Sequence, residues 1–286
     1  MLDHSLPDIA PKRHVWHFRH PLVVRLTHWM NVVCLAVLLM SGLQIFNAHP
    51  ALYWGEQSDF ERPLLAMTAQ QAGIDQPVGA TSLFGYSVRT TGILGVSSGA
   101  DGAPVARGFP GWLTLPSGQD LASGRRWHFL FAWIFVLNGL VYLLYGVITR
   151  YTWRKLLPSW VEMRGISHSV SDHLRLRFPR GEEARHYNVL QKLTYLTVIF
   201  IVLPVLILAG LTMSPGMNAA FPELVTLFGG RQSARTLHFV AAGALVLFVF
   251  VHVVLVLVSG FWNNMRSMLT GWYAITSKES RHEPSR

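Results

Sequence analysis

Four long runs of hydrophobic residues dominate the chain, and each can cross a membrane as a helix. The hydrocarbon core of a bilayer is about 30 Å thick, so a spanning helix needs about 20 apolar residues. The runs lie at about residues 22–46, 127–149, 193–213 and 236–259. Because a water-soluble chain rarely contains four such runs, the sequence predicts an all-α integral membrane protein, a four-helix bundle formed by one domain over residues 1–286.

The composition agrees with this class. Hydrophobic residues make up 51% of the chain and charged residues only 14%, and the mean hydropathy is +0.32. The first 21 residues have no apolar core, so no cleaved signal peptide is expected. The single cysteine, Cys34, lies in the first run and is expected to be a packing residue.

The distribution of positive charge predicts the topology. The net charge is +9, and lysine and arginine are concentrated before the first run, between the second and third runs, and after the fourth. Such residues accumulate on the cytoplasmic side of a membrane. Both termini and the 150–190 connection are therefore expected on the cytoplasmic side. The basic balance is explained by topology, so nucleic acid is not an expected partner.

A long external connection is expected between helices one and two, at about residues 47–124. It holds half of the 24 glycines of the chain, and a structureless loop of this length is normally functional or disordered. Two interpretations remain open. Trp112 and Leu113 could lie on the membrane surface or dock a partner, or the segment could be an ordered but passive cap.

Four of the 13 histidines fall within the apolar runs. They are His28, His128, His238 and His252. Ionisable residues inside a membrane are costly and usually functional, although any one of them could simply bond to a neighbouring helix.

Taken together, the positions of these histidines suggest two pairs. His238 and His252 are fourteen residues apart, so on one helix they share a face within roughly 40° and are separated by about 21 Å. With the expected topology, His28 lies at the cytoplasmic depth of His252, and His128 at the external depth of His238. Each pair would bridge two helices.

Paired imidazoles across a helix bundle suit the axial positions of haem iron. Zinc is the competing metal, but its structural sites need about four ligands in one small tetrahedron, and the second pair is about 20 Å away. A non-haem proton or metal transporter that uses the same histidines is another alternative. It would be expected to have membrane carboxylates, and the four runs contain no Asp or Glu.

Arginines and glycines near these histidines fit the same hypothesis. Arginines near the ends of the runs could bind haem propionates, or could be interface anchors whose head groups reach the water. They are Arg25, Arg125, Arg126 and Arg235. Gly42 follows His28 by fourteen residues, which places it at the external depth of His128 and His238. Gly146 follows His128 by eighteen residues, which places it at the cytoplasmic depth of His28 and His252. A glycine at these positions would leave room for a flat porphyrin. Helix packing in membranes also favours small residues.

The residues that carry a family resemblance are "RLTHW" at the start of helix one, "RRWHFLFAW" at the start of helix two, and the spacing of His238 and His252. They resemble the cytochrome b561-like membrane subunits of bacteria, over about residues 15–265. These include the gamma subunit of formate dehydrogenase and the cytochrome b subunits of nickel-iron hydrogenase and thiosulfate reductase.

The resemblance implies two b haems that relay electrons across the inner membrane between the quinone pool and a periplasmic oxidoreductase, with no substrate chemistry in this subunit. The long external loop is similar to that of cytochromes that accompany molybdopterin oxidoreductases, and the cytochrome of a nickel-iron hydrogenase is the alternative. In such relatives quinone binds near the cytoplasmic haem. The candidate polar residues at that depth are Asn31, Asn188, Gln191 and Lys192.

Overall fold

The computed structural model describes residues 13–72, 76–174 and 188–277. Its helices are α1 (Leu22–Asn47), α2 (Leu121–Ile148), α3 (Tyr151–Leu156), α4 (Trp160–Arg164), α5 (Ile166–Leu174), α6 (Val189–Thr197), α7 (Leu203–Thr212), α8 (Pro215–Ala220), α9 (Glu223–Leu227), α10 (Arg231–Val258) and α11 (Phe261–Thr270). Its strands are β1 (Arg13–Phe18), β2 (Ala51–Leu52), β3 (Leu65–Ala72), β4 (Gln76–Leu83), β5 (Tyr86–Arg89), β6 (Val96–Ser98), β7 (Pro104–Ala106) and β8 (Trp272–Ser277). The basic residues of 1–12, 175–187 and 278–286, which contribute to the predicted topology, lie outside the described residues.

Four helices are long and apolar enough to cross a membrane. They are α1, α2, α10 and helix three, which joins α6, a π-helical turn at Val198–Val202 and α7 over Val189–Thr212. Their 24 to 28 residues correspond to about 36–42 Å, more than the apolar thickness of a bilayer. Large apolar side chains such as Leu130, Leu247 and Phe250 are exposed on them, as expected for surfaces that contact lipid. The prediction of four membrane helices is confirmed.

Two of these helices begin before the apolar run that predicted them. α2 starts at Leu121, six residues before the predicted boundary at 127. The carboxylate of Asp120 accepts a hydrogen bond from the Ser123 backbone at 3.0 Å, and this N-terminal cap stabilises a polar first turn that hydropathy cannot detect. α10 likewise starts at Arg231 rather than at 236.

The described residues fall within two compact units. One covers Met1–Leu26, Tyr142–Leu196 and Phe250–Arg286, and the other covers Thr27–Val141 and Thr197–Val249. The second unit contains the segment between α1 and α2, where a four-stranded antiparallel sheet in the order β2-β3-β4-β5 is followed by the β6-β7 hairpin. Its apolar cluster consists of Phe46 from the end of α1 with Leu52 and Met67.

The expectation of an all-α chain is therefore wrong for this segment, which contains strands. Two of its glycines, Gly79 and Gly85, show how strand packing and a turn depend on this residue type. A Cβ at Gly79 would lie 2.3 Å from the Leu94 carbonyl oxygen, so only glycine lets the two backbones approach this closely. The β4-β5 hairpin turns at Phe84 and Gly85, with φ of 49° and 85°, and such positive φ values match the twist of a tight hairpin.

In the first unit, the two ends of the described chain pair as strands. β1 and β8 are antiparallel, with Val15 opposite Ile275 and Phe18 opposite Trp272. The side chain of Asn263 on α11 bonds both to the amide and to the carbonyl of Ala274, at 2.9 and 2.8 Å. These bonds fix β8 against the helix that precedes it. The pairing of β1 with β8 is a second departure from the all-α class.

Candidate functional site

His128 on α2 and His238 on α10 face each other. Their ring centroids are 6.2 Å apart and their planes are inclined at 65°. A bond between a metal ion and an imidazole nitrogen is about 2 Å long, so two imidazoles on opposite sides of one ion have centres roughly 6 Å apart. Two imidazoles joined directly by a hydrogen bond would have centres only about 5 Å apart. The observed spacing suits two ligands of one ion.

Each of these rings is held by a helix that does not carry it. The Ser41 hydroxyl on α1 is 3.1 Å from Nδ1 of His128, and the Leu206 carbonyl on α7 is 2.8 Å from Nδ1 of His238. Ser41 is fully buried. Both contacts involve Nδ1, so neither occupies Nε2 of its ring.

A glycine lies against each ring as well. A Cβ at Gly42 on α1 would be 3.3 Å from Cε1 of His128, and a Cβ at Gly210 on α7 would be 3.1 Å from Cε1 of His238. Both distances are shorter than an ordinary van der Waals contact, so a side chain at either position would push the ring. Gly42, which the sequence placed at this depth, does lie beside His128, and Gly146 is buried on α2.

The other predicted pair is His28, near the start of α1, and His252, near the end of α10. Both are partly buried, and the ring of His28 packs edge-on against Trp29 at 5.4 Å. Their shared site stays a prediction.

The arginines make contacts of their own. Arg25 donates to the Leu269 carbonyl at 2.5 Å, and Arg235 donates to the His49 carbonyl while lying 5.5 Å from the centre of the Phe46 ring. Arg125, which lies 5.6 Å from the centre of the Phe129 ring, and Arg126 are exposed. A guanidinium has five N–H donors, so these contacts leave donors available for a carboxylate.

The site of Arg235 includes a ring pair that the sequence did not reveal, the partly buried His49 and the buried Tyr53. Nε2 of His49 is 3.1 Å from the Tyr53 hydroxyl, and the Tyr53 carbonyl accepts a hydrogen bond from Thr236 at 2.6 Å. Burial lowers the pKa of His49, and the positive charge of Arg235 lowers it further. The cluster fixes the start of α10 to the segment that follows α1.

The four residues suggested for quinone have structural partners. The side-chain oxygen of Asn188 accepts a hydrogen bond from the backbone N–H of Leu190, and the side-chain oxygen of Gln191 accepts one from the backbone N–H of Asn188. These two residues therefore cap the start of α6. Lys192 forms an ion pair with Glu162 at 2.7 Å. Asn31 accepts a hydrogen bond from Asn138 at 2.7 Å.

Sequence reasoning missed several contributors to the site: Ser41, Leu206, Gly210 and Asn138. Asn138 joins α2 to α1, since its amide also donates to the Thr27 carbonyl at 2.8 Å. A polar residue inside an apolar run could have indicated it. The Leu206 contact uses a backbone oxygen, which no residue type signals.

A conventional zinc site has no support from the side chains. Within residues 13–72, 76–174 and 188–277, no group of three or more His, Cys, Asp or Glu side chains is close enough to hold a metal ion. Structural zinc sites need about four ligands, whereas haem needs only axial ligands from the protein.

Four apolar helices and two facing imidazoles define the class of an integral membrane protein suited to bind haem. The chain belongs to the prokaryotic cytochrome b561 family, whose sequence pattern matches residues 19–271. It is thus a haem b-binding membrane electron-transfer subunit, and the resemblance stated from its sequence is confirmed.

The chain is also similar to a curated relative from Azospira oryzae. That relative is named putative protein-methionine-sulfoxide reductase subunit YedZ1, and it is 29% identical over 237 residues, which cover 83% of this chain and 89% of the relative. No solved structure matches the chain.

Proposed function

We propose that this protein is a di-haem b-type subunit that relays electrons across the bacterial inner membrane between the quinone pool and a periplasmic oxidoreductase. The observation that carries the proposal is the 6.2 Å spacing of the His128 and His238 rings. Nε2 of each would bind the iron of the periplasmic-side haem, and His28 and His252 would bind that of the cytoplasmic-side haem. A haem b with two histidine ligands has no open iron position, and it supplies one-electron transfer.

The residues around the histidines would hold the rest of the group. Arg125, Arg126 and Arg235 would bind propionates on the periplasmic side, and Arg25 on the cytoplasmic side. Gly42 and Gly146 would leave space for the flat ring. Asn31 and its partner Asn138 would line the quinone site near the cytoplasmic haem. Both termini would be cytoplasmic.

The proposal is tested by haem content and spectrum. The purified protein is expected to contain about two b haems per chain and to show the alpha band of a b haem on reduction. His128→Ala and His238→Ala should each remove the same haem, and His28→Ala and His252→Ala the other. His17→Ala, in β1, is the control and should retain both. Full haem content in the His128→Ala protein would refute the proposed ligation.

The partner is proposed to be a periplasmic molybdopterin oxidoreductase. Support comes from the relative, which is named as a reductase subunit, and from the segment between α1 and α2, where Phe60, Tyr86 and Trp112 are exposed. A protein-methionine-sulfoxide reductase is one candidate. Metal analysis of the complex isolated from membranes decides between the alternatives, because a molybdopterin partner brings molybdenum and a hydrogenase partner brings nickel.

A further inference from the structure

The hydrogen bonds at Nδ1 of the two facing histidines determine where each ring carries its proton. For His238 the partner is the Leu206 carbonyl oxygen, 2.8 Å away. A carbonyl can only accept, so Nδ1 of His238 must carry the proton and donate it. In the neutral ring the lone pair is then on Nε2, the atom that remains for a metal.

His128 has two partners on α1. One is the Leu38 backbone carbonyl, which can only accept, and the other is the Ser41 hydroxyl, which can donate or accept, so the other contacts of that hydroxyl decide its role. The Ser41 hydroxyl donates to the Val37 carbonyl at 2.6 Å and is 3.3 Å from the Leu38 carbonyl. This shorter bond uses the one proton of the hydroxyl, so its oxygen accepts from Nδ1 of His128 at 3.1 Å. His128 then also carries its proton on Nδ1 and presents the lone pair of Nε2.

We infer that Ser41 and the Leu206 carbonyl lock both imidazoles in the tautomer that can bind iron, and that Ser41 is a positioning residue that sets the reduction potential of the His128–His238 haem. The inference rests on the proposed function. A hydrogen bond accepted from the free N–H of a ligating histidine fixes its orientation and raises its basicity. A more basic ligand stabilises the oxidised iron, which has the higher charge, so Ser41 lowers the potential.

Ser41 is the partner that mutation can test, because the Leu206 contact is a backbone oxygen. Ser41→Ala removes the hydroxyl acceptor and leaves the Leu38 carbonyl beside the ring. Ser41→Cys keeps nearly the same volume, but sulfur is a weak acceptor. Ser41→Thr keeps the hydroxyl, which can still bond to the carbonyl four residues before it. Thr212→Val is the matched control, since Thr212 is a buried hydroxyl that bonds to the Leu208 carbonyl of its own helix.

The measurement is a potentiometric titration of the detergent-solubilised protein, followed by the visible spectrum. The component that disappears in His128→Ala identifies the haem in question. In Ser41→Ala and Ser41→Cys the reduction potential of this component should rise by about 59 mV. For one electron this corresponds to about a tenfold increase in the equilibrium constant for reduction. Ser41→Thr and Thr212→Val should leave the potential near that of the wild type.

An unchanged potential in Ser41→Ala, or a Ser41→Cys protein that behaves like the wild type, would overturn the inference, because either result assigns Ser41 to packing alone. If Ser41→Ala fails to bind haem, the potentials of Ser41→Cys and Ser41→Thr decide instead, and equal potentials in these two variants would overturn the inference. These outcomes are distinct from failure of the proposed function, which would appear as a haem that does not depend on His128.

Discussion

At the scale of single residues, the facing histidines depend on small and polar neighbours from other helices. Gly42 and Ser41 are adjacent on α1 and lie beside His128, while Gly210 and Leu206 are one turn apart on helix three and lie beside His238. Each ring therefore has a hydrogen-bond acceptor and a glycine on the same supporting helix. Helix three contributes to the site although it carries no histidine.

Substitution of these glycines is expected to reduce haem retention. A Cβ at Gly42 or Gly210 would approach its histidine to 3.3 or 3.1 Å, so Gly42→Leu and Gly210→Leu should displace the ring and lower the haem content several-fold. Gly139→Ala and Gly243→Ala are the controls, since apart from the neighbouring backbone of its own helix a Cβ at either position meets no described atom within 4 Å. They should bind haem normally and gain about 0.5–1 kcal/mol in helix stability. The measurement is haem per protein after purification, and normal binding by both leucine variants would contradict the prediction.

At the scale of elements, caps and ion pairs outside the apolar runs determine where helices begin. Ser159 and Glu162 form a reciprocal capping box at the start of α4, and Glu162 also pairs with Lys192 of α6. Burial by itself raises the pKa of Glu162, but hydrogen bonds from Lys192 and Ser159 outweigh it, so that pKa lies below its ordinary value of 4.5. The carboxylate is therefore charged at neutral pH.

This ion pair predicts a loss of stability in acid. Because the pKa of Glu162 is lower in the folded state, the pair stabilises the fold above the unfolded pKa, and the stabilisation is lost as the pH falls through the folded value. Glu162→Gln should cost about 0.5–1 kcal/mol at neutral pH and show a smaller decrease in Tm than the wild type below about pH 4.5. The measurement is the Tm of both proteins in detergent as a function of pH. Glu223→Gln, at an exposed carboxylate of α9, is the control, and parallel pH profiles for the wild type and Glu162→Gln would contradict the prediction.

At the scale of the whole molecule, strands connect regions that are distant in sequence. The β1-β8 pair joins residues more than 250 positions apart. The sheet between α1 and α2 forms in a segment whose glycine-rich composition had not indicated strands. An even number of spans brings both ends of a chain to one side of a membrane, as this pairing requires.

Disulfide cross-linking tests the pairing of the two ends. Val15 lies directly opposite Ile275, where Cβ atoms in an antiparallel pair are about 4.5–5.5 Å apart, close to the reach of a disulfide. In a Cys34→Ala background, Val15→Cys with Ile275→Cys should cross-link rapidly under mild oxidation. Val15→Cys with Tyr273→Cys, two residues out of register, should react much more slowly. Equal rates, followed by gel mobility, would contradict the register.

The sequence predicted the membrane helices of this protein but not its strands. Hydropathy located all four spans because a backbone in lipid must satisfy its hydrogen bonds internally, and a long apolar helix does so. It missed the start of α2, where Asp120 caps a polar turn. It also missed the strands, because their pairing depends on distant partners, and because the β4-β5 turn uses Phe84 where Asn or Asp would have been a recognisable signal.

The sequence by itself determined the membrane class, the four spans and the histidines available as ligands, because these follow from the identity of residues along one helix at a time. Tertiary structure decided which groups meet. The rotation and packing of the helices brought His128 and His238 to 6.2 Å and put Ser41 and the Leu206 carbonyl on their Nδ1 atoms. Contacts between helices, and contacts made by a backbone oxygen, depend on distances in space that no local pattern of residue types encodes.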